Sequence, residues 1–293
     1  MKKLGLATAL LLAMTGAQAY QFEVQGQSEY IDNTVNDKNF TGAVQGTYYF
    51  KNVDSSKGPF AEAAFLNQAS NVSVAYNYGE YDVDADGKDV ISHTIGAKAE
   101  AYVPTKIVPV YASASYSNTI SDNKAAGIAD DHGDRYALEL GAVVVPNLLV
   151  AVGYTSAPNQ VAYDAFNIVA NGVVKAAQEQ QTIGRDQDAI TARTKYVGAI
   201  DGTNMSIGFE TNMLFAESNA YGFKTDLYVN PQLSVGVSYA EAGGATNPKA
   251  WGANVNYFIT PAVAVGASYV NANAEKGSVY DTETVGVNAK FRF

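Results

Sequence analysis

The sequence predicts an all-β protein: a transmembrane antiparallel β-barrel of about 14 strands, with about 12 or 16 strands as alternatives. Apolar and polar residues alternate through most of the 293-residue chain, and Tyr and Phe are frequent, at 20 and 12 residues. Alternation places successive side chains on opposite faces of a sheet. Because the polar positions are too rich in charge for a packed core, a lipid-facing exterior and a wet interior fit better than a soluble sandwich.

The end of the chain, residues 284–293, shows this alternation most clearly. One parity holds Val285, Val287, Ala289, Phe291 and Phe293, and the other holds Gly286, Asn288, Lys290 and Arg292. In hydrocarbon an unpaired strand edge leaves backbone groups without partners, so a barrel must pair its last strand with its first. We therefore predict that this strand closes the barrel.

Residues 1–19 have the features of a signal peptide. Lys2 and Lys3 precede the apolar run Leu4–Met14, and a small-x-small cleavage site follows at Ala17–Ala19. We predict that this segment is removed on export and that the barrel comprises residues 20–293. A short membrane anchor is the alternative, but eleven apolar residues are too few to span a bilayer.

The composition argues against a disulfide-stabilised protein and against a nucleic-acid-binding protein. The chain contains no cysteine, so an exported protein of this size must be stabilised without a disulfide framework. The formal net charge is -10, which argues against nucleic acid as a partner because that role needs clustered Lys and Arg.

A unit led by proline occurs three times, at Pro146–Tyr154, Pro231–Tyr239 and Pro261–Tyr269. Each unit has apolar residues two, four and six positions after the proline and Tyr at the eighth. Eight strand residues tilted by about 40° rise about 20 Å, which places turn and Tyr near opposite edges of an apolar band about 25 Å tall. A repeated hairpin of a soluble sandwich is the alternative, although it needs no fixed length.

The pattern predicts strands near residues 20–30, 39–50, 71–81, 90–102, 105–118, 135–145, 148–156, 188–200, 204–212, 221–229, 232–242, 249–259, 262–273 and 284–293. Turns rich in Pro, Gly, Asn and Asp alternate with longer polar loops, of which 157–187 is the longest. This is the asymmetry of short periplasmic turns and long extracellular loops. Residues 51–70 break the alternation, and we interpret them as an insertion on the periplasmic side.

Eleven charged residues fall on the polar parity, and we predict that they line the pore: Glu23, Lys98, Glu100, Glu139, Arg193, Lys195, Glu210, Lys224, Asp226, Lys290 and Arg292. Charges of both signs and neighbouring amides would bind water and polar solutes in a narrow, mixed-charge lumen. The alternative is that these side chains pair and fill the interior, as in the smallest barrels.

Two segments are candidates for a gate. Phe60, Phe65 and Leu66 would be costly to leave in periplasmic water, so we predict that they fold into the mouth of the barrel. The longest loop contains a hairpin signal at Asn171–Gly172, and it could enter the lumen or stand above the membrane. For both segments, packing on the rim is the alternative.

The sequence predicts neither an enzyme nor a metal site. Asp82, Asp84 and Asp86 resemble the start of a calcium loop, but its twelfth position is His93 and the expected bidentate Glu is missing. An acidic loop tip fits better. His93 and His132 are the only histidines, and neither lies in a nucleophile motif, so we predict no catalytic residues and no cofactor.

The chain resembles the porin family of Gram-negative outer membranes. The resemblance is carried by YQFEVQG at 20–26, YYFKNV at 48–53, GPFAEAAFL at 58–66 and the terminal Phe293. It implies an outer membrane channel, monomeric or loosely associated, for passive passage of water and small polar solutes. It also implies that Phe293 is the signal read by the barrel-assembly machinery, and that outer membrane lipid is a partner. It supplies no catalytic residues.

Two other functions remain open at this point. A closed structural or adhesin-like barrel would act through its surface loops, and a dry, fully paired lumen would favour it. A transporter of hydrophobic substrates would need an apolar path, which the polar inward rows contradict. The acidic loops predict a mild preference for cations in any channel.

Overall fold

The computed structural model describes residues 19–33, 36–82, 89–123, 131–158, 162–166, 187–217, 219–243, 247–273 and 281–293. The strands are β1 (Ala19–Asn33), β2 (Asn36–Asp54), β3 (Asn71–Asp82), β4 (Asp89–Val103), β5 (Val110–Asn123), β6 (Asp131–Val145), β7 (Leu148–Ala157), β8 (Gln187–Ala199), β9 (Ser206–Phe215), β10 (Ala220–Tyr228), β11 (Leu233–Ala242), β12 (Lys249–Thr260), β13 (Val263–Asn273) and β14 (Thr282–Arg292). They form one closed barrel in which each strand pairs antiparallel with its two neighbours. The predicted fold and the count of fourteen strands are confirmed.

The barrel closes between β1 and β14. Their register runs from Glu23 opposite Arg292 to Asn33 opposite Thr282. At the end of this ladder the Phe293 N–H donates to the carbonyl of Phe22 at 2.9 Å, and the Phe22 N–H donates to the carbonyl of Phe293 at 2.7 Å. The rings of Phe22 and Phe293 stack with their centroids 5.7 Å apart. The last residue of the chain is therefore part of the closing ladder.

The apolar parity of the strands forms the outer surface. In β7, Val150, Val152 and Tyr154 are exposed on the outside of the barrel, whereas Leu149 and Ala151 are buried inside. The unit that forms β11 repeats this arrangement, with Val235, Val237 and Tyr239 exposed. The exposed apolar rows therefore face the surroundings of the barrel and the polar rows face its interior.

Both described ends of the chain, Ala19 and Phe293, lie at the same end of the barrel, which we call the turn end. It also holds the connections 104–109, 146–147, 200–205, 229–232 and 261–262. Asn147 adopts a φ of 65°, in the left-handed region that a two-residue hairpin turn requires. The opposite end, where the longer connections lie, is the loop end.

The strand β2 continues past Phe50, the end predicted from the sequence, to Asp54. Pairing resumes beyond a register shift at the start of β1, with Tyr20 opposite Val53. Both of these side chains are buried, whereas Phe22 is exposed on the outside. The irregularity therefore turns the start of β1 and the end of β2 towards the interior.

Residues 55–70, which we call the plug, connect β2 to β3. They contain 3-10 helices at Ser55–Lys57 and Phe60–Glu62 and a short helix, α1, at Ala63–Leu66. The Phe60 N–H donates to the carbonyl of Pro231, in the turn between β10 and β11, at 2.8 Å. The plug therefore crosses the turn end of the barrel. No helix within the described residues is long and apolar enough to span a membrane.

The base of the plug is fastened to β2. The Phe50 N–H donates to the carbonyl of Ser70 at 3.0 Å. The Lys51 ammonium donates to the carbonyl of Asn67 at 2.6 Å, and the Asn67 side chain donates to the carbonyl of Asp54 at 2.7 Å. The two ends of the plug are thus held together at the rim.

Arg292 joins the barrel seam to the plug. Its side chain is 2% exposed, its Nε donates to Glu23 Oε2 at 2.7 Å and its Nη1 donates to the carbonyl of Phe60 at 2.8 Å. The guanidinium carbon lies 4.5 Å from the ring centroid of Tyr20 and 4.6 Å from that of Phe258. One buried cation therefore contacts β14, β1, β12 and the plug.

We expect Arg292→Met to lower the free energy of unfolding by on the order of 3 kcal/mol, because it removes one partner of a buried ion pair and a donor to the plug. Urea unfolding in phospholipid vesicles, followed by the fluorescence of Trp251, the single tryptophan, measures this change. Lys290→Met is the matched control, since Lys290 also contacts Glu23 but is 23% exposed. A loss for Arg292→Met no larger than that of the control would contradict the anchoring role.

Candidate functional site in the barrel lumen

The interior of the barrel contains a cavity of about 370 Å³ and a neighbouring one of about 130 Å³. Lys98, Arg193, Asn212 and Phe166 line both. The larger cavity is also lined by Ala61 and Glu62 of the plug. It therefore lies directly behind the plug, and we take it with its charged walls as the candidate site.

A first group of charges lies on β4, β6 and β8. Arg193 donates from Nε to Glu139 Oε1 at 3.0 Å and from Nη2 to Glu139 Oε2 at 2.9 Å. Lys98 Nζ lies 3.0 Å from Glu100 Oε1. The buried Tyr111 hydroxyl donates to Glu100 at 2.7 Å and accepts from Arg193 at 3.0 Å, which connects the two ion pairs.

A second group lies on β8, β9 and β10. Lys195, Glu210 and Lys224 are direct cross-strand neighbours, so their charges alternate around the wall. Lys224 Nζ lies 3.3 Å from Asp226 Oδ2. Lys195 Nζ lies 2.8 Å from Glu62 Oε2 of the plug. The wall of the lumen and the plug therefore share one network of alternating charge.

A third group lies at the seam. Lys290 Nζ is 3.2 Å from Glu23 Oε1, and Arg292 binds the other oxygen of the same carboxylate. Of the eleven charged residues assigned to the interior, eight line the larger cavity and Glu139 lines the smaller one. Glu23 and Arg292 are instead buried at the seam beside the plug. Contact of these residues with a solute stays a prediction.

The three gate candidates pack against different parts of the wall. Phe65 is buried and Leu66 partly buried in a cluster with Tyr111, Val143, Leu149, Ala151, Val197 and Tyr228. Lys195 Nζ lies 5.2 Å from the ring centroid of Phe65. Phe60 makes an edge contact with Phe258, with ring centroids 5.7 Å apart. The plug therefore touches the wall from β5 round to β12.

Glu62 is the functional candidate that sequence reasoning missed. Its Oε2 binds Lys195, and its Oε1 accepts a hydrogen bond from the Tyr228 hydroxyl at 2.7 Å. Burial alone would raise the pKa of the Glu62 carboxyl, but Lys195 and the hydrogen bonds from Lys195 and Tyr228 hold that pKa below its ordinary value of 4.5. The available signal was a single carboxylate within the apolar run 59–66.

A second segment, residues 162–166 of the longest loop, also lies inside the barrel. The Ala165 N–H donates to Ser117 Oγ at 3.1 Å, and the Asp164 carboxylate lies 3.1 Å from Arg135 Nη1. Ala165 is fully buried. This part of the loop therefore packs on β5 and β6, and its Phe166 reaches both cavities.

Several sequence predictions concern residues outside those described. These are the signal peptide up to residue 18, Asp84 and Asp86 of the calcium-like loop, and the hairpin signal at Asn171–Gly172. Within the described ranges, no group of three or more His, Cys, Asp or Glu side chains is arranged to hold a metal ion.

Comparison with known proteins assigns the family. The family model described as "Putative general bacterial porin" matches residues 1–293. The chain belongs to this porin family. It is therefore a β-barrel porin of the outer membrane, and its turn end faces the periplasm. The family points to a channel that carries small solutes and not to an enzyme.

Solved structures agree with this assignment. The crystal structure of the Acinetobacter baumannii outer membrane protein Omp33 is 54% identical, with 94% of this chain and 99% of that chain covered and a TM-score of 0.70. A monoaromatic hydrocarbon channel, CymD, matches at 11% identity over 98% of this chain and 93% of that chain, with a TM-score of 0.60, and shows the fold alone. No curated protein matches the chain.

The depressed pKa of Glu62 predicts that acid undocks the plug. Docking gains its full contribution from this carboxylate above about pH 4.5 and loses it as the pH falls through the lower pKa of the docked state. We expect conductance in planar bilayers to rise as the pH is lowered from neutral to about 3, below the ordinary carboxyl pKa. Glu62→Gln should lack this step, and an equal acid-induced rise in that variant would assign the effect to other carboxylates.

Proposed function

We propose that this porin allows passive diffusion of water and small polar solutes through a narrow, mixed-charge lumen, and that the plug gates this path. The observation that carries the proposal is the position of the plug, which crosses the turn end and encloses a polar cavity of about 370 Å³. A water molecule occupies about 30 Å³ of liquid, so the cavity has room for several waters or a small solute.

The lining of the larger cavity supports polar cargo. Gln25, Gln45, Asn256 and Asn288 lie on the wall formed by β1, β2, β12 and β14, opposite the charged wall of β8 to β10. Amides donate and accept hydrogen bonds, so they replace part of the hydration shell of a polar solute. A hydrophobic cargo would displace water from this polar wall without replacing its hydrogen bonds.

The contacts of the plug support gating. Apart from its base, the plug is held by the hydrogen bonds of Phe60 to Pro231 and Arg292, by those of Glu62 to Lys195 and Tyr228, and by the packing of Phe60 and Phe65 on the wall. Hydrogen bonds of this kind contribute about 1 kcal/mol each, and about twice that when charged. A segment held in this way can undock while the barrel ladders, which it does not share, remain intact.

A closed barrel that acts through its surface loops is the second candidate function. The observation that favours it is that two segments fill the lumen, the plug at the turn end and residues 162–166 at the other.

The barrel-assembly machinery is a proposed partner in either case, because Phe293 is half exposed on the outside of the turn end.

A reversible cross-link tests the gate. Phe60→Cys with Pro231→Cys joins two residues whose backbones are 2.8 Å apart in an N–H···O=C hydrogen bond, and the chain has no other cysteine. In proteoliposomes we expect the oxidised pair to block influx of water and glycerol, and reductant to restore it. Phe60→Cys alone is the control.

Deletion of residues 60–67 provides the complementary measurement. Because it removes Phe60, Glu62 and Phe65 together, influx should exceed that of the wild type. Absence of influx in every version, with the barrel still folded as judged by heat-modifiable migration in gels, would contradict the channel and favour the closed barrel.

A further inference from the structure

We propose that the Glu62 carboxylate occupies a carboxylate-binding site built into the lumen wall, and that small carboxylate solutes compete for this site and release the plug. The inference rests on the proposed channel function and names a class of cargo for it. The site consists of Lys195 on β8 and Tyr228 on β10, with Lys224 of β10 beside them.

The geometry is that of a two-point carboxylate receptor. One oxygen of Glu62 lies 2.8 Å from the Lys195 ammonium, and the other accepts the Tyr228 hydroxyl at 2.7 Å. Charge-assisted hydrogen bonds of this length are among the stronger ones in proteins. Tyr228 is 3% exposed and its ring lies over Gly208 of the neighbouring strand β9, so the wall itself holds its hydroxyl in place.

The site opens onto the lumen. Glu62, Lys195, Lys224 and Tyr228 all line the cavity of about 370 Å³. A solute in this cavity therefore reaches the donors from the side opposite to the base of the plug. Its carboxylate can take over the bonds of Glu62 without passing through the wall.

The charge of the cavity favours an anion once the plug leaves. Among the described residues that line it, five are cationic, namely Lys98, Arg193, Lys195, Lys224 and Lys290, and four are carboxylates, namely Glu62, Glu100, Glu210 and Asp226. Withdrawal of Glu62 leaves five cations against three carboxylates. Lys195 then loses the carboxylate that lies 2.8 Å from it and keeps its cross-strand neighbour Glu210, so a solute carboxylate in the place of Glu62 stabilises the open state.

The opposite wall is polar as well. The side chains of Gln25, Gln45 and Asn256 line the same cavity. Amide groups donate and accept hydrogen bonds, so this wall suits the polar remainder of a small solute. The structure therefore assigns small, polar carboxylates as the cargo.

A solute must displace the Glu62 carboxylate, which is tethered beside the site, and this sets the solute concentration that is needed. Glu62 is held beside its site by a short segment that is fastened at both ends, so its effective concentration is in the millimolar range or above. Free carboxylates should consequently act at millimolar concentrations. This suits a channel, because a site that held its cargo tightly would slow passage.

The test compares lactate with glycerol, two three-carbon solutes of which only lactate carries a carboxylate, in proteoliposomes containing the mature barrel. In the wild type we expect lactate influx to exceed glycerol influx and to saturate at millimolar lactate. Glu62→Gln should raise lactate influx several-fold and shift the reversal potential in sodium lactate gradients towards the anion. Lys106→Met, in an exposed turn, is the control and should behave as the wild type.

Lys195→Met separates the binding site from the gate. It removes the partner of Glu62, so glycerol influx should persist or rise, whereas the ratio of lactate to glycerol influx should fall about tenfold, as for loss of one good charge contact. An unchanged ratio in this variant, or a reversal potential favouring cations in Glu62→Gln, would overturn the carboxylate site while leaving the channel intact. Loss of all influx in folded barrels would instead reject the channel itself.

Discussion

Every backbone N–H and C=O that lies in hydrocarbon must be bonded within the protein, and the pairing of β1 with β14 is what meets this requirement here. Closure forces one parity of each strand outward and the other inward. The apolar rows then take the lipid side, and the charged and amide rows are left facing one another across an enclosed space. The chemistry of the lumen is therefore a consequence of the closing ladder.

Charges inside such a space need partners, because water there is limited. The three groups of ion pairs satisfy most of this need within the wall, but two of the cations also bind the plug. Lys195 pairs with Glu62, and Arg292 donates to the carbonyl of Phe60. The same interactions that neutralise the wall therefore fasten the plug at the turn end.

The sequence predicts the strands well because lipid and lumen impose opposite chemistry on alternate residues. The proline-led units, the apolar row before Phe293 and the charged inward row are all direct expressions of that rule. The sequence also shows the plug as a break in this alternation, and it predicts that Phe60, Phe65 and Leu66 are shielded from water.

The contacts across the lumen lay beyond such reasoning. Alternation reports which way a side chain faces but not what it meets on the far wall, and Glu62 meets Tyr228 across 166 positions of sequence. Tyr20 faces inward because of a register shift between β1 and β2. The alternation of apolar and polar residues in the sequence does not reveal this shift. The burial of Ala165 likewise depends on bonds to the distant Ser117.

The plug begins and ends on neighbouring strands, with Phe50 bonded to Ser70 at its base. A segment inserted at one hairpin connection can change in length or composition without altering any strand register or the surface that lipid touches. Under the proposed gating, a change confined to this connection would alter which solutes pass while the pairing of the strands stays as it is.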